Sequence, residues 1–171
     1  NQLDEHVIKS LLEQEAPVDL FGVGTNLVIG RPDAALDGVY KLAFAGGKSR
    51  IKLSETVKKI TIPHKNQVYR ITDDKGEWIG ADLVALEDEN DFNNMHHPFE
   101  SGKSLNVENC NKEPLLEKVM VNGKRLKEKK SLEEISKFRE ERVKKLPDEY
   151  KRFENPHIYK IGLSDGLNEE R

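Results

Sequence analysis

The run Val18-Asp19-Leu20-Phe21-Gly22-Val23-Gly24-Thr25-Asn26-Leu27-Val28-Ile29 holds the residues best suited to chemistry. An apolar stretch meets a Gly-x-Gly-Thr turn and a second apolar stretch follows at once, so the backbone has to reverse direction there. Gly22 and Gly24 allow positive φ and carry no Cβ to keep a ligand away from the main chain. Amides aimed at one spot, the positive end of a following helix and the Thr25 hydroxyl would together receive a phosphate. The same spacing also serves a plain turn, the commoner use of glycine, and spacing alone leaves both readings open. Arg31 and Lys41 lie close enough in sequence to reach such an anion, although a strand lysine facing solvent is the ordinary outcome.

Other reactive side chains are less suggestive. His96 and His97, with Asp91 and Cys110 nearby in sequence, could be drawn as a metal site, but adjacent histidines on a loop point in different directions and zinc sites want separated pairs. His64 follows Pro63 and reads as a turn residue. The basic run 124–130 and Arg139, Arg142, Lys144 and Lys145 are interleaved with Glu133, Glu134, Glu140 and Glu141 and lack stacking aromatics, which fits a solvated helix face better than nucleic acid.

Several elements must position these residues. Leu3, Val7, Ile8, Leu11 and Leu12 recur at helical spacing, which predicts a helix to about Glu15 with Asn1 as N-cap. Pro17 ends it, and Val18 to Phe21 is expected as a short strand buried on both faces, as in a parallel sheet. Helix, strand and phosphate turn in that order are what the last unit of a barrel of alternating strands and helices looks like, although one such unit cannot close a barrel. Alternation over Val39 to Phe44 and Arg50 to Leu53 predicts a hairpin. Ile60 to Ile62 is expected as another strand, and Gln67 to Ile71 and Trp78 to Leu86 flank the turn Asp73-Asp74-Lys75-Gly76. Trp78, Tyr40, Phe44 and Tyr69 are expected in the core of this sheet.

Residues 87–113 read as an extended connection. Asn122-Gly123 after Val119 to Val121 predicts a type I′ hairpin, and Ser131-Leu132-Glu133-Glu134 is a capping box that opens a helix with a stripe of Leu132, Ile135, Phe138, Val143 and Leu146. Pro147 starts a further helical turn carrying Tyr150 and Phe153, and the tail 155–164 has apolar anchors that should dock. The expected division is 1–36 (helix, strand and phosphate loop), 37–90 (β-rich), 91–130 (extended connection with a short hairpin) and 131–171 (helical extension).

Composition bounds the answer. A chain of 171 residues can bury about 70% of its extended-chain surface, while 35% charged and 36% hydrophobic residues predict a thin core with long solvated edges. A net charge of −3 gives no field that recruits nucleic acid, and no apolar run approaches the roughly 18 residues that cross a bilayer, so neither nucleic acid nor membrane is an expected partner. The lone Cys110 excludes an internal disulfide and fits a cytoplasmic location. A start at Asn1, inside a helix-start pattern, suggests a piece of a longer protein.

Taken in order, Leu3-Asp4-Glu5, Val18 to Thr25, Gly38-Val39-Tyr40-Lys41-Leu42 and Lys52-Leu53-Ser54-Glu55 resemble the C-terminal part of nicotinate phosphoribosyltransferase. Leu146-Pro147-Asp148-Glu149, Asn155-Pro156-His157 and Gly162-Leu163-Ser164 resemble the family's C-terminal extension. The resemblance covers nearly the whole chain and is weak over 87–130. It implies an enzyme of NAD salvage that joins nicotinate to phosphoribosyl pyrophosphate. Its products are nicotinate mononucleotide and pyrophosphate, and ATP hydrolysis with Mg2+ drives it through a phosphorylated histidine. It implies an α/β barrel with a flanking β-rich domain in a homodimer, so that this chain, α+β by itself, would be the last helix–strand–phosphate-loop unit with a small antiparallel subdomain and a helical extension. It also implies that Gly22, Gly24 and Thr25 hold the 5′-phosphate. No segment matches the phosphorylated histidine motif or the loops that carry acidic ribose and magnesium contacts, so no catalytic residue is expected here and the chain alone should bind phosphate weakly and catalyse nothing. A non-catalytic interaction module, or a piece of another phosphate-binding barrel enzyme, is the alternative.

Overall fold

The computed structural model describes residues 2–30, 34–35 and 38–170, apart from the side chain of Lys58. It falls into two compact units, Asn1–Tyr40 and Lys41–Arg171.

The first unit is helical. α1 spans Glu5–Glu13, and its cap is Asp4, whose carboxylate accepts from the Val7 amide at 2.8 Å. Capping by Asp4 displaces the expectation for Asn1, which lies outside the described residues. An aspartate in extended conformation immediately before the first helical residue satisfies an amide that the helix cannot. α2 spans Thr25–Ile29 and closes on Gly30 in the left-handed conformation (φ 57°, ψ 47°). Val18 to Phe21 forms no strand: the segment is irregular, and no strand pairs with it among the described residues. Its apolar character is that of a buried strand, but a strand exists only where a neighbour accepts its hydrogen bonds.

The second unit opens with a hairpin much shorter than alternation predicts, β1 (Phe44–Ala45) paired with β2 (Lys48–Ser49) across Gly46 and Gly47, both at positive φ. Ile60 to Ile62 is not a strand either; a single 3-10 turn at Val57–Lys59 precedes it. Tyr40, expected in the core, is exposed.

The main sheet is built from β3 (Asn66–Thr72), β4 (Trp78–Leu86), β5 (Asn94–His96), β6 (Ser104–Asn106), β7 (Asn111–Pro114) and β10 (Lys160–Leu163), in the order β6-β5-β10-β4-β3-β7. β3 and β4 pair antiparallel around the Asp73 turn, as the turn residues predict, with a bulge at Ile71/Thr72. Residues 87–113, expected as a connection, instead supply β5, β6 and most of β7. Strands of three or four residues leave too little periodicity to separate from a loop. The tail docks as β10, parallel to β4 and antiparallel to β5.

Between β7 and β10, β8 (Met120–Val121) and β9 (Lys124–Arg125) close a type I′ hairpin with Asn122 and Gly123 both at positive φ. α3 (Leu132–Lys144) starts at the predicted capping box: Ser131 accepts from the Glu134 amide while Glu134 accepts from the Ser131 amide. Its apolar stripe is not covered, since no residue of α3 is buried. α4 (Asp148–Lys151) follows Pro147, and α5 (Asp165–Glu169) follows β10.

Alternation along β4 puts Ala81, Leu83 and Ala85 into a core with Ile71, Phe92, Met95 and Val107. Leu163 of β10 and Leu167 of α5 are also fully buried. Gly80 sits at φ +71° where a Cβ would come within 2.1 Å of the Tyr150 ring, so only glycine lets that ring lie on the strand.

Candidate functional site

The glycine turn joins the two helices of the first unit. Gly22, Gly24 and Thr25 are exposed, Phe21 and Val23 half-buried. A Cβ placed on Gly22 or Gly24 would meet no heavy atom within 4 Å. Neither glycine takes the positive φ that the sequence allows, and Gly24, at φ −104° and ψ −103°, precedes Thr25 as the N-cap of α2. Neither positive φ nor crowding by this chain therefore accounts for glycine at these positions; the open space in front of the backbone is what they leave. Among the described residues the amides of Gly22, Val23, Gly24, Thr25 and Asn26 find no acceptor. Exposed amides without a protein acceptor are open to solvent or to an anion.

Asn26, immediately after this turn, was not a sequence candidate. Its half-buried side-chain amide donates to the carbonyl oxygens of Gln2 at 3.2 Å and Leu3 at 3.1 Å, tying the approach to α1 to the start of α2. No periodic or motif signal singles it out. Lys41 belongs to the second unit, where its ammonium donates to the Lys59 carbonyl. Arg31 lies outside the described residues.

The second unit contains a polar cluster that the sequence does not advertise. Arg70 on β3 forks onto Asp82 on β4 through two hydrogen bonds of 3.0 Å, and the Tyr159 hydroxyl donates to the same carboxylate at 2.8 Å. Burial first, and the Asp82 carboxylate second, push the Tyr159 hydroxyl well above its ordinary range; hydrogen bonding to Asp82 raises Arg70 further. The guanidinium of Arg70 lies 3.9 Å from the centroid of Trp78, and that of Arg142, bonded to Glu113 at 2.6 Å, lies 4.7 Å from it. With its carboxylate already engaged by three donors, Asp82 fastens strands together rather than moving protons. The signal for it was an aspartate inside the otherwise apolar run 78–86.

The histidines are engaged locally. His96 Nε2 sits 2.6 Å from Asp165 Oδ1, and the other Asp165 oxygen accepts from the amides of Asn93 and Asn94. Burial works to raise the Asp165 carboxyl, but His96 and these amides outweigh it and hold it below the usual carboxylate range. His97 Nδ1 accepts from the amides of Phe99 and Glu100. His64, a turn residue at φ 75°, lies 3.7 Å from Glu170, and Cys110 packs at the edge of the core. Among the described residues no three His, Cys, Asp or Glu side chains gather to hold a metal ion.

Comparison with known proteins decides the family. Residues 65–171 match the family model described as "Nicotinate phosphoribosyltransferase C-terminal domain". The chain belongs to the nicotinate phosphoribosyltransferase family. It is 38% identical over 98% of its length to the nicotinate phosphoribosyltransferase of Caenorhabditis elegans, covering 31% of that protein. It is 34% identical over 96% of its length to the enzyme of Bacillus subtilis, covering 35% of that one. The crystal structure of human nicotinic acid phosphoribosyltransferase superposes with a TM-score of 0.68 at 22% identity, covering 99% of this chain and 31% of that one. That likeness confirms the mixed α+β fold. The chain spans about a third of the length of the relatives it matches.

Proposed function

We propose that this chain forms the C-terminal part of a nicotinate phosphoribosyltransferase, which makes nicotinate mononucleotide and pyrophosphate from nicotinate and phosphoribosyl pyrophosphate for NAD salvage. In this reading Gly22, Gly24 and Thr25 receive the 5′-phosphate, and α1, the segment 18–21 and the glycine turn complete the end of an α/β barrel. The observation that carries it is the conjunction of open space at Gly22 and Gly24 with amides that lack acceptors among the described residues, in a chain of this family. Leu20, Leu27 and Val28, exposed by 88%, 71% and 84%, flank the turn with an uncovered apolar surface, which a self-contained interaction module would not carry there.

The chemistry of this part is positioning. A phosphate held by main-chain amides fixes the ribose so that the pyridine nitrogen can meet C1, and pre-paid orientation of this kind lowers a barrier without any acid or base. Arg31 remains a candidate second contact. ATP and Mg2+ serve the whole enzyme. No step through Mg2+ is assigned to the residues of this chain. A cytoplasmic homodimer is the assembly this reading carries with it.

The test is Gly24→Val in the enzyme that contains this chain. A branched side chain would fill the space the phosphate needs, and the KM for phosphoribosyl pyrophosphate should rise by tenfold or more with the KM for nicotinate little changed. An unchanged KM for the ribosyl donor would sink the assignment.

A further inference from the structure

Among the described residues, Asn26 ties the end of the glycine turn to the start of the chain. Its side-chain amide bridges to two successive carbonyls, Gln2 at 3.2 Å and Leu3 at 3.1 Å, across a sequence separation of 24 and 23 residues. Gln2 takes φ 60°, a left-handed conformation that an L residue keeps only where its surroundings hold it. Leu3 leads directly into Asp4, the cap of α1. Asn26 thus connects the entrance of one helix to the residue that follows Thr25, and the turn between them has no other side-chain hydrogen bond to the start of the chain among the described residues.

We propose that Asn26 is the positioning residue for the glycine turn: by clamping the Gln2–Leu3 carbonyls it fixes the direction in which the amides of Val23, Gly24 and Thr25 point, and so sets affinity for the ribosyl donor without touching it. This rests on the phosphate assignment above. Without the clamp, the turn samples several orientations, and the fraction ready for the phosphate falls. Apparent affinity drops by that fraction.

The experiment compares Asn26→Asp, Asn26→Gln and Gly24→Val in the enzyme that contains this chain, reading both KM values, kcat and the melting temperature. Asn26→Asp keeps the shape but sets an anion against two carbonyl oxygens. It should raise the KM for phosphoribosyl pyrophosphate about tenfold, with kcat and the KM for nicotinate within about twofold. Asn26→Gln retains the donor and should recover most of that affinity. If Asn26→Asp leaves the KM for the donor unchanged while Gly24→Val raises it, the clamp is wrong and the phosphate site stands. If Gly24→Val also has no effect, the site itself is wrong. If Asn26→Asp lowers kcat and melting temperature with no selective change in the donor KM, Asn26 is only a structural tie and the proposal is overturned.

Discussion

In β4, alternate residues Ala81, Leu83 and Ala85 are fully buried against Ile71, Met95 and Val107, whereas no residue of α1 or α2 is buried. Yet Leu27-Val28-Ile29 is as apolar as Leu83-Val84-Ala85. An apolar run states that a surface has to be covered; it does not state by what. The sheet of the second unit covers its own runs because β10 returns from the end of the chain to lie between β4 and β5. The helix–turn–helix unit has no equivalent among the described residues. In the proposed whole enzyme, the two thirds of the family's length that this chain does not span would supply that cover.

The largest effect that could break this contrast is at β10. Leu163 is fully buried, pairs with Val84 on one side and His96 on the other, and belongs to the one strand that links the β5–β6 ribbon to β4 in the sheet order. Leu163→Ala should cost about 3 kcal/mol, the range for truncating a buried leucine in a site that cannot collapse, read as a shift of the urea midpoint. A loss below about 1 kcal/mol would mean that the ribbon is held by something other than β10.

A smaller effect sharpens the same corner. Hydrogen bonds from His96 and the Asn93 and Asn94 amides hold the Asp165 carboxyl below its ordinary value despite partial burial. A group depressed on folding stabilises above its unfolded value, about pH 3.9, and loses that contribution as pH falls through the folded one. Wild-type stability should therefore fall more steeply than that of Asp165→Asn between about pH 5 and pH 3. Parallel slopes in urea titrations at the two pH values would show that Asp165 does not anchor α5 through its charge.

How far the sequence reached follows the same division. Local rules were legible: the Ser131–Glu134 capping box, the Asn122-Gly123 turn and the Asp73 hairpin all form where their residues place them, because each needs only neighbours within a few positions. The docking of the tail was legible from its apolar anchors. What failed needed distant partners. Val18 to Phe21 reads as a strand but has none to pair with among the described residues, and β5, β6 and β7 were hidden because short strands gain their identity from the sheet, not from their own pattern. Of the proposed site, the glycines were candidates from spacing and family likeness, whereas Asn26 was not. Its proposed role rests on two hydrogen bonds to main-chain oxygens more than twenty residues away, and main-chain oxygens leave no trace in a sequence.

The smallest effect bears on the helical unit. Leu27 is 71% exposed, and exposed positions away from caps and networks change stability by no more than about 0.5 kcal/mol. Leu27→Ser should therefore leave the melting of the 171-residue chain unchanged. In the enzyme that contains this chain, the same substitution should lower stability by about 1.5 kcal/mol or more, because a leucine side chain buried by the remainder of the protein is worth that much. The two proteins differ only in what covers α2, so the difference between the two measurements isolates the covering. A drop already present in the shorter chain would mean that these residues bury Leu27 themselves, and the contrast between sheet and helices would fail at its weaker side. No drop in either would mean that α2 stays bare in the assembled enzyme. The glycine turn would then be a surface feature with no barrel behind it.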